Sequence, residues 1–162
     1  MSSSHILFLG PLNSPVYLWL KEREQEVSQT EDAIDCHYIE KHQITFIVSY
    51  GYRHLIKSDV LELLPLRAVN LHISYLPWNR GADPNFWSFV DNTPKGVTIH
   101  YIDEGLDTGE IICQQSVKFK TQDTLASSYQ QLQLSIQALF KSHWQKIKDH
   151  KCSSTVNEGG SY

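Results

Sequence analysis

At 162 residues and 18.7 kDa the chain is long enough for one domain with a sizeable buried core. Its 41% hydrophobic and 20% charged content is ordinary for a globular protein, and a net charge of −4 offers no basic field, which argues against a stand-alone nucleic-acid binder. The apolar runs are too short to span a bilayer and MSSSH has no signal-peptide pattern, while the cysteines and histidines lack metal-ligand spacing; a metal-free cytoplasmic domain with reduced thiols is expected.

In chain order, His5–Gly10 (HILFLG) is an apolar run stopped by Gly-Pro, as in a central strand covered on both faces. Ser14 and Pro15 supply an N-cap and a first-position proline for a helix running to about Glu26. Val27–Thr30 reads as a short edge strand and Asp32–His42 as a short turn of helix. Ile44–Ser49 (ITFIVS) is the second apolar strand. Ser58 is placed to cap a helix with Val60, Leu61 and Leu64 on its apolar face, ended by Pro65. Ala68–Ile73 (AVNLHI) is the third strand, Gly96–Ile102 (GVTIHYI) the fourth, and Glu110–Phe119 a further segment rich in β-formers. The last helix is marked by Leu125, Tyr129, Leu132, Ile136, Leu139, Phe140, Trp144 and Ile147, which recur by threes and fours; Asp123 or Thr121 is placed to cap it. That stripe reads as a face packed on the sheet. Residues 1–151 thus form one domain, followed by 152–162 (CSSTVNEGGSY), a polar, Gly-rich mobile tail or truncated loop.

Strands alternating with helices predict an α/β fold: a Rossmann-like, mostly parallel twisted sheet with flanking helices. About 33 residues separate the first strand from ITFIVS, so the amino-terminal βα region is abbreviated. Such sheets place ligands at the carboxyl ends of their strands. Asn70 and His72 lie near the carboxyl end of the third strand, and Asp107, in DEGLDTG after the fourth, is expected on the same edge. Singly, each has an ordinary reading as a turn former, a hydrogen-bonded core histidine or a loop carboxylate. Together they complement one another. The amide can hold an oxyanion, the imidazole can donate a hydrogen bond or a proton near neutral pH, and the carboxylate can accept a proton or orient the imidazole. No Ser or Cys sits on a GxSxG elbow. The set therefore suits direct attack of an external amine on a carbonyl, through a tetrahedral intermediate.

NLHISYLP, GADPNFW and GVTIHYIDEGLDTGEII, in this order and spacing, resemble the signature of the 10-formyltetrahydrofolate-dependent formyltransferases. The resemblance is continuous from about Phe46 to Ile112. It implies that Asn70, His72 and Asp107 are catalytic: the amide and imidazole bind the oxyanion, and the carboxylate helps a proton pass from the amine to the departing folate nitrogen. His100 is implied as a support for Asp107. The cosubstrate would be 10-formyltetrahydrofolate, with no metal. Its pterin would be gripped by two loops, one with Tyr52, His54, Leu55 and Ile56, the other with Asp103, Glu104, Gly105 and Leu106.

The acceptor is approached by elimination. The tRNA-specific members use an additional domain and basic surfaces that this chain lacks. The glycinamide ribonucleotide enzymes use a Gly-rich loop where this chain has GPLNSP, whose Ser14 could still meet an anion. SYLPWNRGADPNFW most resembles the members that formylate nucleotide-linked amino sugars. Trp78, Tyr75, Trp87 and Arg80 could line the acceptor cleft, with the guanidinium pairing a phosphate; alternatively Trp87 and Phe89 are core. The expected partner is a small sugar nucleotide, with neither nucleic acid nor membrane, and a continuation past GGSY could carry acceptor contacts or a homodimer interface. A 10-formyltetrahydrofolate hydrolase and a non-catalytic folate- or sugar-nucleotide-binding module are the rival readings.

Overall fold

A computed structural model describes residues 3–162 and buries the whole of the first strand, β1 (Ile6–Leu9), from both sides. The chain continues through α1 (Pro15–Arg23), β2 (Val27–Thr30), α2 (Cys36–His42), β3 (Phe46–Ser49), α3 (Ser58–Leu63), β4 (Ala68–His72), α4 (Pro84–Val90), β5 (Gly96–Tyr101), β6 (Ile111–Ser116) and α5 (Leu125–Lys148). The strands form one sheet in the order β2-β1-β3-β4-β5-β6. β1 to β4 are parallel to their neighbours, as the βα alternation predicts, but β5 runs antiparallel to β4, and β6 antiparallel to β5. The 73–95 connection explains the change. It keeps its helix, α4, at the end of the sheet where β4 finishes, and does not cross back over a face.

Alternation along each strand sorts side chains between two apolar clusters. On one face Ile6, Phe8, Phe46, Val48, Val69, Leu71, Val97 and Ile99 meet α1 and the apolar stripe of α5. On the other, Leu7, Leu9, Ile47 and Ala68 meet α2 and α3 through Ile39, Val60 and Leu64. Asn70 and His72 follow Ala68 at intervals of two, so they project to this second face.

Helix ends differ from expectation in detail. Ser14 precedes α1 but makes no side-chain cap; its hydroxyl is buried without a partner. Ser58 is the first residue of α3, not its cap, and Lys57 occupies the capping position without a side-chain bond. α5 is capped by Thr124 rather than Asp123 or Thr121: Thr124 accepts from the Ser127 amide at 3.0 Å while the Thr124 amide donates to the Ser127 hydroxyl at 2.8 Å. This reciprocal box satisfies two otherwise orphaned amides, whereas Asp123 holds the Ser127 hydroxyl and Gln131. α4 falls within a segment that reads as a loop. Asp83 before Pro84 was its signal, because proline at the first helical position sacrifices no hydrogen bond.

The segment 152–162 also departs from expectation. It is docked: Thr155 pairs with Ile111 in an antiparallel bridge, and Asn157 is buried. Most of its residues stay exposed, but Arg80, Asn79 and the 107–111 stretch bond to it.

Candidate active site

The residues on β4 are placed by register. Ile47 of β3 pairs with Ala68 and Ser49 with Asn70, so β4 starts late and Asn70 lies level with the carboxyl end of β3. Across the antiparallel pair, Asn70 faces His100 and His72 faces Thr98. Directly opposite residues share a face, so the sheet itself delivers His100 to Asn70. Asp107 comes by a different route from the one the parallel reading implies. β5 runs back along β4, leaving the sheet beside Val69, and the 102–110 loop must curl over to return Asp107 to the site. Gly109 permits that turn, since a Cβ there would collide with the Tyr101 carbonyl oxygen.

At the centre, Asp107 receives contacts from several directions. Asn70 Nδ2 donates to its Oδ1 at 3.1 Å and the Gly81 amide to its Oδ2 at 2.8 Å. His100 Nε2 lies 3.3 Å from Oδ1 and His72 Nδ1 3.6 Å from Oδ2. Gly81 has φ +94, a backbone conformation open to glycine, and so aims its N–H at the carboxylate. Burial acts to raise the Asp107 pKa. The His100 bond, the charges of His72 and His100 and the Gly81 amide outweigh it, holding the carboxyl down at about 2.

His72 is buried, and burial lowers its pKa against the opposing pull of Asp107 and the Asn79 carbonyl. Its Nε2 lies 2.8 Å from the Asn79 carbonyl oxygen, which can only accept, so Nε2 carries a proton. Nδ1 is therefore the nitrogen left for Asp107 and for any ligand. His100 is fixed likewise, with Nδ1 donating to the Tyr101 carbonyl at 2.7 Å and Nε2 3.3 Å from the Asn70 amide.

These groups line a cavity of about 1090 Å³, at the upper end of the range for small-molecule sites. Tyr52, His54, Leu55, Ile56, Asp103, Gly105 and Leu106 line it too; Glu104 does not and borders a separate shallow groove. Leu55 and Leu106 are 69% and 48% exposed, the kind of apolar surface that a flat ligand covers. Tyr52 is tied down, its hydroxyl donating to the Asp32 carbonyl, and burial followed by the Asp32 charge pushes its pKa up to about 12. Asp103 shapes its own loop by accepting from the Gly105 amide and the Thr108 hydroxyl.

The expected acceptor-side residues fare differently. Tyr75, Trp78, Arg80 and Trp87 do not line the cavity. Arg80 is buried away from the cavity and donates from Nη1 and Nη2 to Asn157 and Gly159, while its Nε–H has no partner, so it is not turned toward a ligand phosphate there. Trp87 and Phe89 are not core either, being 44% and 42% exposed on α4. The opposite cavity wall is formed by Phe86 of α4 and by Leu125, Tyr129 and Gln133 of α5. Leu125 and Tyr129 belong to the α5 stripe, but the helix begins beyond the sheet, which leaves its first turns to face the cavity. Gly81, Asn79 and Asn157 complete the site; the left-handed turns at Asn79 and Gly81 were legible only as an Asn and a Gly in a loop.

Fold and site together define a class: an α/β domain that gathers an amide, two imidazoles and a carboxylate on the wall of a large ligand cavity. Residues 11–141 match the Formyl transferase family, and the chain belongs to that family. It is 48% identical to the formyltransferase PseJ from Anoxybacillus kamchatkensis, with a TM-score of 0.93 over 98% of this chain and 85% of that one; that structure holds UDP-4,6-dideoxy-4-formamido-L-AltNAc and tetrahydrofolate. A sugar N-formyltransferase from Shewanella, 19% identical over 98% of this chain and 76% of its own, shares the fold with a TM-score of 0.80. The methionyl-tRNA formyltransferase of Desulforamulus reducens is 28% identical over 75% of this chain, which spans 35% of that relative's length.

Proposed function

We propose that the protein transfers the formyl group of 10-formyltetrahydrofolate to the amine of a nucleotide-linked amino sugar, with a UDP-linked 4-amino-4,6-dideoxy sugar as the foremost candidate. The observation that carries this reading is the meeting of Asn70, His72 and Asp107 on one cavity wall. The 48% identity to PseJ, with its UDP-formamido sugar, supports the acceptor class.

The chemistry follows from which hydrogens are free. The amine nitrogen attacks the formyl carbon, forming a C–N bond and driving the carbonyl electrons onto oxygen. Asn70 offers a neutral amide to that oxyanion. Of its two amide contacts, the 3.3 Å one to His100 is the longer and the one a ligand oxygen replaces. His72 holds its Nε2 proton on Asn79, so Nδ1 takes the proton that the attacking amine sheds. The resulting imidazolium lies beside the Asp107 carboxylate, whose charge is secured well below neutral pH. The same proton then goes to the departing folate nitrogen as its bond to the formyl carbon breaks. Leu55, Ile56 and Leu106 supply apolar walls for the pterin.

The test follows tetrahydrofolate release from 10-formyltetrahydrofolate with and without UDP-linked 4-amino and dTDP-linked 3-amino sugars. Acceptor-dependent release, and a formamido product by mass, are expected with the UDP-linked 4-amino sugar. Acceptor-independent formate release would establish the hydrolase instead, and binding without release a folate-binding module.

A further inference from the structure

The segment after Thr155 lies outside the residues that match the family, yet it reaches the residues that fix the site. Asn157 is buried, and its side-chain amide is fully committed. Nδ2 donates to the carbonyl oxygens of Asp107 and Gly109, both at 2.9 Å. Oδ1 accepts from Arg80 Nη2 at 2.8 Å. Arg80 is itself held by this segment, with its three hydrogen bonds ending on oxygens of Asn157 and Gly159. Ser161 then closes the strap: its hydroxyl accepts from the Asn79 amide at 3.1 Å and its carbonyl from the Arg80 amide at 2.9 Å.

The partners of this strap matter. Asn79 is the residue whose carbonyl holds His72, and Gly81 is the one whose amide holds the Asp107 carboxylate. Asp107 itself has φ +55, a left-handed turn uncommon outside glycine, though aspartate enters it more readily than most residues. Asn157 Nδ2 holds that turn by donating to the Asp107 carbonyl oxygen, and Arg80 links Asn157 to the chain beside Gly81. The backbone and the carboxylate of Asp107 are thus located by one network from opposite sides.

We infer that Asn157 is a positioning residue for Asp107, and that the strap from Asn157 to Ser161 is a working part of the active site. This rests on the catalytic reading of Asp107 above. Asparagine suits the position because it alone among side chains of its size presents two donors and an acceptor; aspartate keeps the Arg80 contact, as an ion pair, but turns a carboxylate toward two carbonyl oxygens.

Asn157→Ala and Asn157→Asp separate positioning from anchorage. In both, kcat falls about tenfold to a hundredfold, the cost of a small misplacement of a reacting group, while KM for the folate stays within about threefold. Asn157→Asp keeps the strap on Arg80 but sets a carboxylate oxygen against two carbonyl oxygens, so its melting temperature falls, and turnover per folded molecule, assayed below that melt, falls as well. Ser153→Ala, at an exposed position before the strap, leaves turnover unchanged. Wild-type kcat in either folded Asn157 variant overturns the inference, as does a loss confined to KM. Failure of both to fold assigns Asn157 to stability alone and also overturns it. Asp107→Asn in the same assay distinguishes the two levels of the argument: full turnover there removes the catalytic reading itself, whereas an inactive Asp107→Asn beside a fully active Asn157→Ala removes only the role of Asn157.

Discussion

The two faces of β4 are one residue apart in sequence and opposite in kind. Val69 and Leu71 point into the apolar layer under α5, where contact with Val97, Ile99, Ile136 and Phe140 removes them from water. Asn70 and His72 point the other way, beyond the reach of α2 and α3, onto a wall where polar groups satisfy one another. The same five-residue strand therefore stabilises the fold with one side and is proposed to do the chemistry with the other. The lesson is that burial alone does not mark the difference. His72 is as buried as many core residues, at 7% exposed, but what it touches is a carbonyl and a carboxylate.

This contrast predicts separable failures. The largest effect is on the polar side. His72→Ala or Asp107→Ala is expected to cost about 10²–10⁴ in turnover, the usual contribution of a positioned acid–base group, and Asn70→Ala about 10²–10³. Circular dichroism and thermal melting should show each variant folded. Wild-type-like activity in any of the three breaks the assignment.

On the apolar side, Leu71→Ala is expected to destabilise the fold by about 2–5 kcal/mol, because it empties volume in a close-packed layer. Denaturant unfolding reads the loss, and specific activity per folded molecule should be retained. A Leu71→Ala protein that is stable but inactive would mean that the two faces are not independent.

The smallest effect is on pH. Asp107 titrates at about 2 in the folded chain, below its ordinary value of 3.8, so the charged form favours folding. That stabilisation is complete above about pH 4 and is lost as pH falls toward about 2. Burial lowers the His72 pKa in the folded state, so its protonation opposes folding as pH drops below its ordinary value of 6.5. Unfolding free energy measured against pH should therefore fall on acidification, and the Asp107→Asn variant should lose the lower part of that fall. An unaltered profile in Asp107→Asn means that the carboxylate is not held by its neighbours as the contacts indicate.

Much of the fold was legible because its signals are local. The apolar runs of β1 and β3, the three-and-four spacing of α5 and the proline at the start of α1 each act within a few residues. α4 was missed although Asp83 and Pro84 carried its start, since the aromatic residues after them resemble a loop wall as readily as a short helix. Reading Arg80 as a phosphate ligand failed for a different reason. Its partners, Asn157 and Gly159, lie 77 and 79 residues away, and nothing in the sequence near Arg80 announces them.

What the sequence by itself determined is the chemistry on offer and the family: an amide, an imidazole and a carboxylate in two blocks whose order and spacing are distinctive. The sequence also sets Asn70 and His72 near the carboxyl end of a strand, at a spacing of two that a pleated strand turns into one shared face. Only the tertiary structure decided the rest. The direction of β5, the curl that returns Asp107 to the site, the tautomer of His72 and the docking of the carboxyl-terminal strap all depend on pairings between distant residues. Each is set by hydrogen bonds that buried polar groups must find somewhere, and a one-dimensional pattern states that the need exists without saying where it is met.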